Sequence, residues 1–191
     1  MSGCWAPASD QLLSDYHDDE WGRPIGDEQT LFERMCLEGF QSGLSWRIVL
    51  AKRPAFREVF AGFDAAAVAR FGPQDVDRVM GDARIIRNRR KIEAVVTNAR
   101  LLLELDGSYP ALLWSHEPPA RPAPSDLGEV PSTSPESIAL AKLLRRKGFA
   151  FVGPTTVYAG MQACGLVNDH VADCGVREAV EAERRAFDRP T

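Results

Sequence analysis

Cys4 and His17 lie near one end of the chain, His170 and Cys174 near the other. Together they offer two thiols and two imidazoles, the donor set of a closed tetrahedral zinc site. Such a site has no open position and does no chemistry of its own, so the expectation is a structural clasp, one zinc per chain. His170 and Cys174 are spaced His-x3-Cys and share a face if their segment is helical. Cys4 and His17 are separated by twelve residues and need an intervening fold to meet. The alternative is isolated thiols beside ordinary polar histidines. Against it, two of only three histidines and two of only four cysteines fall in these terminal clusters.

A second candidate is acidic. Glu38 sits in Met35-Cys36-Leu37-Glu38-Gly39-Phe40, an otherwise apolar helical stretch, and Ser42-Gly43-Leu44-Ser45-Trp46 follows closely. A carboxylate on a buried face is expensive without a designated partner. Tyr16, Trp21 and Trp46 could supply flat walls for a purine-like ligand, held by stacking while the carboxylate accepts from its exocyclic N–H. Periodicity alone favours the plainer alternative, in which Glu38 pairs with a neighbour and the tryptophans are core.

The third candidate is basic. Residues 84–91 place five cations in eight positions, directly before a helix that Asn88 can cap. A helix N-terminus flanked by cations suits a phosphate and gives contacts that position DNA without reading its sequence. Arg145-Arg146-Lys147 forms a second cluster. A solvated face is the alternative for both.

The elements that must position these residues are helical. Asp27 can cap a helix carrying Leu31, Phe32 and Met35, and Asp64 a short one through Val68. The helix from Asn88 carries Ile92, Val95, Val96, Ala99, Leu102 and Leu103 to a stop at Asp106-Gly107. Ser134-Pro135 opens another, with Ile138, Ala141 and Leu144 inward and Gly148 as its stop. A last apolar stretch covers 157–167. Period-two alternation is absent, so the fold class is all-α. Between Glu117 and Pro135 stand six of the thirteen prolines, a loop joining two helical groups. Residues 176–191 are charged and expected to fray.

With 191 residues, 45% of them hydrophobic, the chain can bury one core. The opening residues lack the plan of a secretory signal and no apolar run is long enough to cross a bilayer, which points to the cytoplasm. In that reducing compartment Cys36 and Cys164 read as buried small hydrophobes rather than disulfide partners. A net charge of −4 means that an anionic partner must be attracted locally.

Several blocks carry a resemblance. Tyr16-His17-Asp18-Asp19-Glu20-Trp21-Gly22, Cys36-Leu37-Glu38-Gly39, Ser42-Gly43-Leu44-Ser45-Trp46, Ile85-Ile86-Arg87-Asn88-Arg89, Lys91-Ile92, Arg146-Lys147-Gly148-Phe149 and the run Met161 to His170 together resemble the constitutive DNA-3-methyladenine glycosylase I family. This is the zinc-containing branch of the helix-hairpin-helix glycosylases. The resemblance runs from Cys4 to about Cys174. It implies an all-α helix-hairpin-helix fold, a single glycosylase domain over 1–175 made of two helical subdomains, and a charged tail over 176–191.

Carried over by residue, it implies Cys4, His17, His170 and Cys174 as zinc ligands, Glu38 as the catalytic carboxylate facing a flipped-out base, and Tyr16, Trp46 and Trp21 as base-binding walls. Gly43 and Leu44 would enter the duplex, and Arg87 and Lys91 would grip phosphates. The implied reaction is hydrolytic excision of 3-methyladenine from double-stranded DNA by a monofunctional, monomeric enzyme that leaves an abasic site. Arg84 departs from the family pattern where a hairpin usually has glycine, Leu13 stands where an aromatic pocket residue is expected, Phe40 where a polar one is common, and Trp5 is shifted by one place from the usual tryptophan. These departures leave a related glycosylase with altered alkylated-base preference as an alternative. Two other classes remain open: a zinc-stabilised DNA-binding module without catalysis, and an enzyme acting on a free purine.

Overall fold

The computed structural model describes residues 4–191; the first three residues of the expected 1–175 domain lie outside it. Among the described residues ten α-helices run in the order α1 (Gln11–Asp19), α2 (Glu28–Gln41), α3 (Trp46–Val59), α4 (Ala65–Ala69), α5 (Pro73–Gly81), α6 (Arg89–Leu103), α7 (Tyr109–Trp114), α8 (Pro135–Arg146), α9 (Pro154–Ala163) and α10 (Arg177–Ala186). Among the described residues there is no strand, so the all-α expectation holds.

The four capping residues read from the sequence all cap. Asp27 accepts from Thr30 N–H, Asp64 from Ala67, Asn88 from Lys91 and Ser134 from Ser137, each satisfying an amide that its helix leaves unpaired. The helix ends are less regular. α6 stops at Leu103, three residues before the expected Asp106-Gly107. Ile138, expected inward, is half exposed, while Leu140, Ala141 and Leu144 form the buried face of α8.

α2 is the axis of the core. Leu31, Phe32, Leu37 and Phe40 are buried against Phe56 and Phe60, and the core extends to Ile92 and Val95 of α6, Leu140 of α8 and Met161 of α9. Each such side chain contributes roughly 1.5–3 kcal/mol relative to exposure. Phe40, one of the family departures, belongs here: its ring centroid is 4.4 Å from that of Phe56. Cys36 and Cys164 are buried free thiols, as expected.

The end of α9 is fastened to the segment before α2. Gly22 N–H donates to Gln162 and Ile25 N–H to Cys164, while Gly165 turns with φ 76° where a Cβ would sit 2.5 Å from the Arg23 backbone. Only glycine fits that approach. The tail does not fray: Val180 of α10 is fully buried, Arg184 donates to the Gly165 carbonyl, and Arg184 and Arg189 both pair with Glu117. The high density of charged residues in the tail concealed this amphipathic helix.

Candidate active site and metal cage

Cys4, His17, His170 and Cys174 converge from opposite ends of the chain, with their donor atoms all within 4.8 Å of one another. His170 Nδ1 is 3.1 Å from His17 Nε2, 3.4 Å from Cys174 Sγ and 3.8 Å from Cys4 Sγ, and Cys174 Sγ is 3.6 Å from His17 Nε2. The outer ring nitrogens have their own acceptors: His170 Nε2 donates to the Trp21 carbonyl at 3.0 Å and His17 Nδ1 to Asp18 at 2.6 Å. Those bonds set the tautomers, leaving two lone pairs facing each other at 3.1 Å. A cation between them removes that repulsion. Burial lowers the His170 pKa to about 4 and raises that of Cys4 to about 11, so the apolar surroundings alone favour neutral imidazole and disfavour thiolate. The group fits a metal ion.

Next to the cage lies a cavity of about 490 Å³. Tyr16 reaches it from α1, Glu38 and Gln41 from α2, Trp46 from the first turn of α3, and Trp21 from the α1–α2 connection. Trp46 and Tyr16 stand 5.2 Å apart between centroids, tilted by 49°. Glu38 is 6% exposed, and burial pushes its pKa up to about 8 against the lowering effect of the Arg34 charge. No hydrogen bond holds its carboxyl down among the described residues. The Tyr16 hydroxyl and the Trp5 and Trp46 indole N–H groups are likewise buried without a partner. Burial keeps the Tyr16 hydroxyl protonated as a donor. Unpartnered polar groups of this kind, converging on one cavity, call for a ligand that pairs with them.

The structure brings Tyr16, Trp21, Glu38 and Trp46 together, as the sequence suggested. It also adds residues that sequence reasoning missed. Gln41 lies near Glu38 on α2, so adjacency carried a signal for it, while Trp5, already marked by the resemblance and next to Cys4, lines the cavity as well. Tyr158 and Gln162, one turn apart on α9, were hidden in an apolar stretch that reads as core. Both donate to Asp169, at 2.8 and 2.9 Å, which Arg121 pairs from outside at 2.5 Å. The proline-rich loop does more than connect: Leu127, Val130, Pro131 and Ser132 form one wall. Leu13 packs beside the Tyr16 and Trp21 cluster without lining the cavity.

At the rim, Gly43 (φ 82°) and Leu44 form an exposed turn between Gln41 and Trp46. The turn is closed by Leu44 N–H on the Gln41 carbonyl at 2.7 Å. The hairpin lies between α5 and α6. Arg84 pairs with Asp82 and Glu58, and Arg89 with Asp77, which leaves Arg87 and Arg90 as the exposed cations of the run without an ion pair among the described residues. Arg84 has no positive φ, so its replacement of glycine imposes no strain. Lys91, expected among the phosphate contacts, turns inward instead: it is 7% exposed and its ammonium donates to the Phe40 and Ser42 carbonyls at 2.8 and 2.7 Å.

Comparisons with known proteins bear on this arrangement. The family model of methyladenine glycosylase matches residues 5–178. The chain is 46% identical over 180 residues to DNA-3-methyladenine glycosylase 1 of Escherichia coli (strain K12), covering 91% of this chain and 96% of that protein. A crystal structure of 3-methyladenine DNA glycosylase I is similar with a TM-score of 0.88 at 43% identity, over 92% of this chain and 98% of that one. A second, in complex with 3-methyladenine, has a TM-score of 0.85 at 33% identity, over 89% and 94%. The fold and cavity are therefore those of a DNA glycosylase, an enzyme that hydrolyses N-glycosidic bonds. Within that class, this chain belongs to the methyladenine glycosylase family.

Proposed function

We propose that this chain flips 3-methyladenine out of alkylated double-stranded DNA and hydrolyses its N-glycosidic bond, leaving an abasic site. The observation that carries the reading is the unpaired Glu38 carboxyl at the base of an aromatic cavity. A similar structure holds 3-methyladenine itself.

Methylation at N3 gives adenine a formal positive charge and makes it a good leaving group, so little acid catalysis is required. The protein must offset unstacking and select the cationic base. Glu38 would meet that base as a carboxylate, accepting its N–H groups, while Tyr16 and Trp46 add stacking and cation–π attraction. Leu44 would occupy the space that the base leaves, and Arg87 with Arg90 would hold the backbone.

The cage is read as zinc. A tetrahedral N2S2 site with zinc's usual bond lengths has edges of about 3.3–3.8 Å, close to the four separations of 3.1–3.8 Å given above. Zinc there would tie the two ends of the chain together and supply no reaction step. Four ligands from one chain support a monomer, and the thiols suit a reducing cytoplasm. Among the described residues no helix is long and apolar enough to cross a membrane.

The test is to incubate the protein with methylated duplex DNA and separate the released bases by chromatography. Free 3-methyladenine with intact strands is expected. Binding without base release would leave a DNA-binding module, and release from free nucleosides alone would leave a purine enzyme.

A further inference from the structure

Lys91 is the third residue of α6, beside the exposed Arg87, Arg89 and Arg90 of the hairpin. Its side chain goes the other way. The ammonium crosses to the end of α2 and donates to the carbonyls of Phe40 and Ser42, at 2.8 and 2.7 Å, carbonyls that α2 itself leaves unpaired. A cation at a helix C-terminus is also favoured by the helix dipole. The two carbonyls bracket Gln41, which lines the cavity, and Ser42 opens the exposed Gly43-Leu44 turn.

Phe151 covers the same ammonium, its ring centroid 5.8 Å from Nζ, and holds a left-handed φ of 56° in doing so. Its loop is fixed to α6 as well: Asn98 donates to the Ala150 carbonyl at 3.0 Å and accepts from the Ala150 amide at 2.9 Å. Among the described residues no carboxylate pairs with Lys91, so its charge rests on carbonyl dipoles and an aromatic face. Three pieces of backbone therefore meet at one buried cation: the start of α6, the end of α2 and the loop before α9.

Resting on the glycosylase reading above, we propose that Lys91 is a positioning residue that fixes the Ser42–Leu44 turn against the hairpin, holding Leu44 in register with the phosphates gripped by Arg87 and Arg90. The geometry requires it to act through the turn. Without the ammonium, the Phe40 and Ser42 carbonyls at the end of α2 lose a donor, and the turn loses the one side-chain hydrogen bond that ties it to α6 among the described residues. DNA would still bind at the hairpin, but the wedge would reach the base stack poorly placed.

The experiment uses the full chain and compares Lys91→Met, which keeps the stem and removes the donors, with Lys91→Arg, which restores charge and donors. Three properties are read: binding to undamaged duplex as a function of salt, single-turnover release of 3-methyladenine, and fluorescence of 2-aminopurine placed beside a stable abasic analogue, which reports unstacking. For Lys91→Met the expected result is duplex affinity within about twofold and an unchanged salt slope, with excision and the unstacking signal both down at least tenfold. Lys91→Arg should recover part of both. Placed on a Leu44→Ala background, Lys91→Met should add little further loss, because both changes disable the same wedge.

A salt slope lowered by about one unit in Lys91→Met would overturn the inference in favour of a direct phosphate contact. Additive losses with Leu44→Ala, or a wild-type excision rate in folded Lys91→Met, would also overturn it. If Lys91→Met does not fold, Lys91→Gln, which keeps one amide donor, takes its place: a partial loss supports the assignment and a wild-type rate removes it. Failure of wild-type protein to release any base overturns the glycosylase reading and this one with it. An active wild type beside an equally active variant overturns only the role of Lys91.

Discussion

Arg34 and Glu38 lie one turn apart on α2, both buried, and the guanidinium charge opposes the desolvation that pushes the Glu38 carboxyl up to about 8. Arg34 is itself held by Glu20 at one nitrogen and lies 5.2 Å from the Tyr16 ring, with its Nε and Nη1 unpartnered. Tyr16 from α1 and Cys164 after α9 are the other titratable groups that feel Glu38, and burial keeps both neutral near pH 7. Arg34 is thus the one fixed charge among these groups.

The excision rate should therefore depend on pH through Glu38. If the carboxylate receives a cationic base, the free enzyme must first lose the proton, and kcat/KM should rise with pH to a plateau above about 8. Arg34→Met removes the charge that favours ionisation and should move the midpoint further up. A kcat/KM profile flat from pH 6 to 9 in both proteins would detach Glu38 from the chemistry.

Arg87→Ala and Arg90→Ala should each weaken binding to every duplex about equally and lower the slope of log K against log salt by roughly 0.9 per lost phosphate contact. Arg84→Ala should not, because Asp82 and Glu58 already neutralise that side chain. Fluorescence-anisotropy titrations at several salt concentrations measure these slopes. An unchanged slope in the Arg87 and Arg90 double variant would leave the run as a solvated face.

Freshly purified protein should carry one zinc per chain, measurable by elemental analysis. Removing it with a chelator, or replacing Cys174 with alanine, should lower Tm by roughly 2–4 °C for each kcal/mol lost. Protein that stays folded should keep measurable excision, because the cage has no open position. Complete loss of excision at unchanged Tm would instead make the metal catalytic.

The parts of the molecule legible in the sequence were those governed by local chemistry. Caps at Asp27, Asp64, Asn88 and Ser134 follow from side chains that bond amides three residues on, and they are found as read. The four metal-type ligands were legible because few residue types make such a cage. What local chemistry does not encode was missed. Tyr158 and Gln162 sit in an apolar helix and only their shared acceptor, Asp169, marks them. Lys91 looked like its basic neighbours because charge composition does not say which way a side chain turns. The tail over 176–191 looked frayed because a single buried valine and two arginine links to Glu117 hold it.

Glu38→Gln separates a functional carboxyl from a structural one. The folded-state pKa lies above the ordinary 4.5, so the protein favours the protonated form: wild-type stability is full below about 4.5 and falls as pH climbs toward 8 and the buried group must ionise. Glutamine never ionises. The Tm of Glu38→Gln relative to wild type should accordingly rise between pH 5 and 9, whatever the residue does in catalysis. Excision should go the opposite way. Loss of the charge that receives the cationic base should reduce single-turnover release of 3-methyladenine by one to a few orders of magnitude, about 1.4 kcal/mol per tenfold, while binding to undamaged duplex, which rests on phosphate contacts, stays the same. Trp46→Ala should show the same division between excision and binding, without the pH-dependent gain in stability. A folded Glu38→Gln protein that is stabilised at high pH yet excises at the wild-type rate would confirm the burial of the carboxyl and sink its part in the reaction.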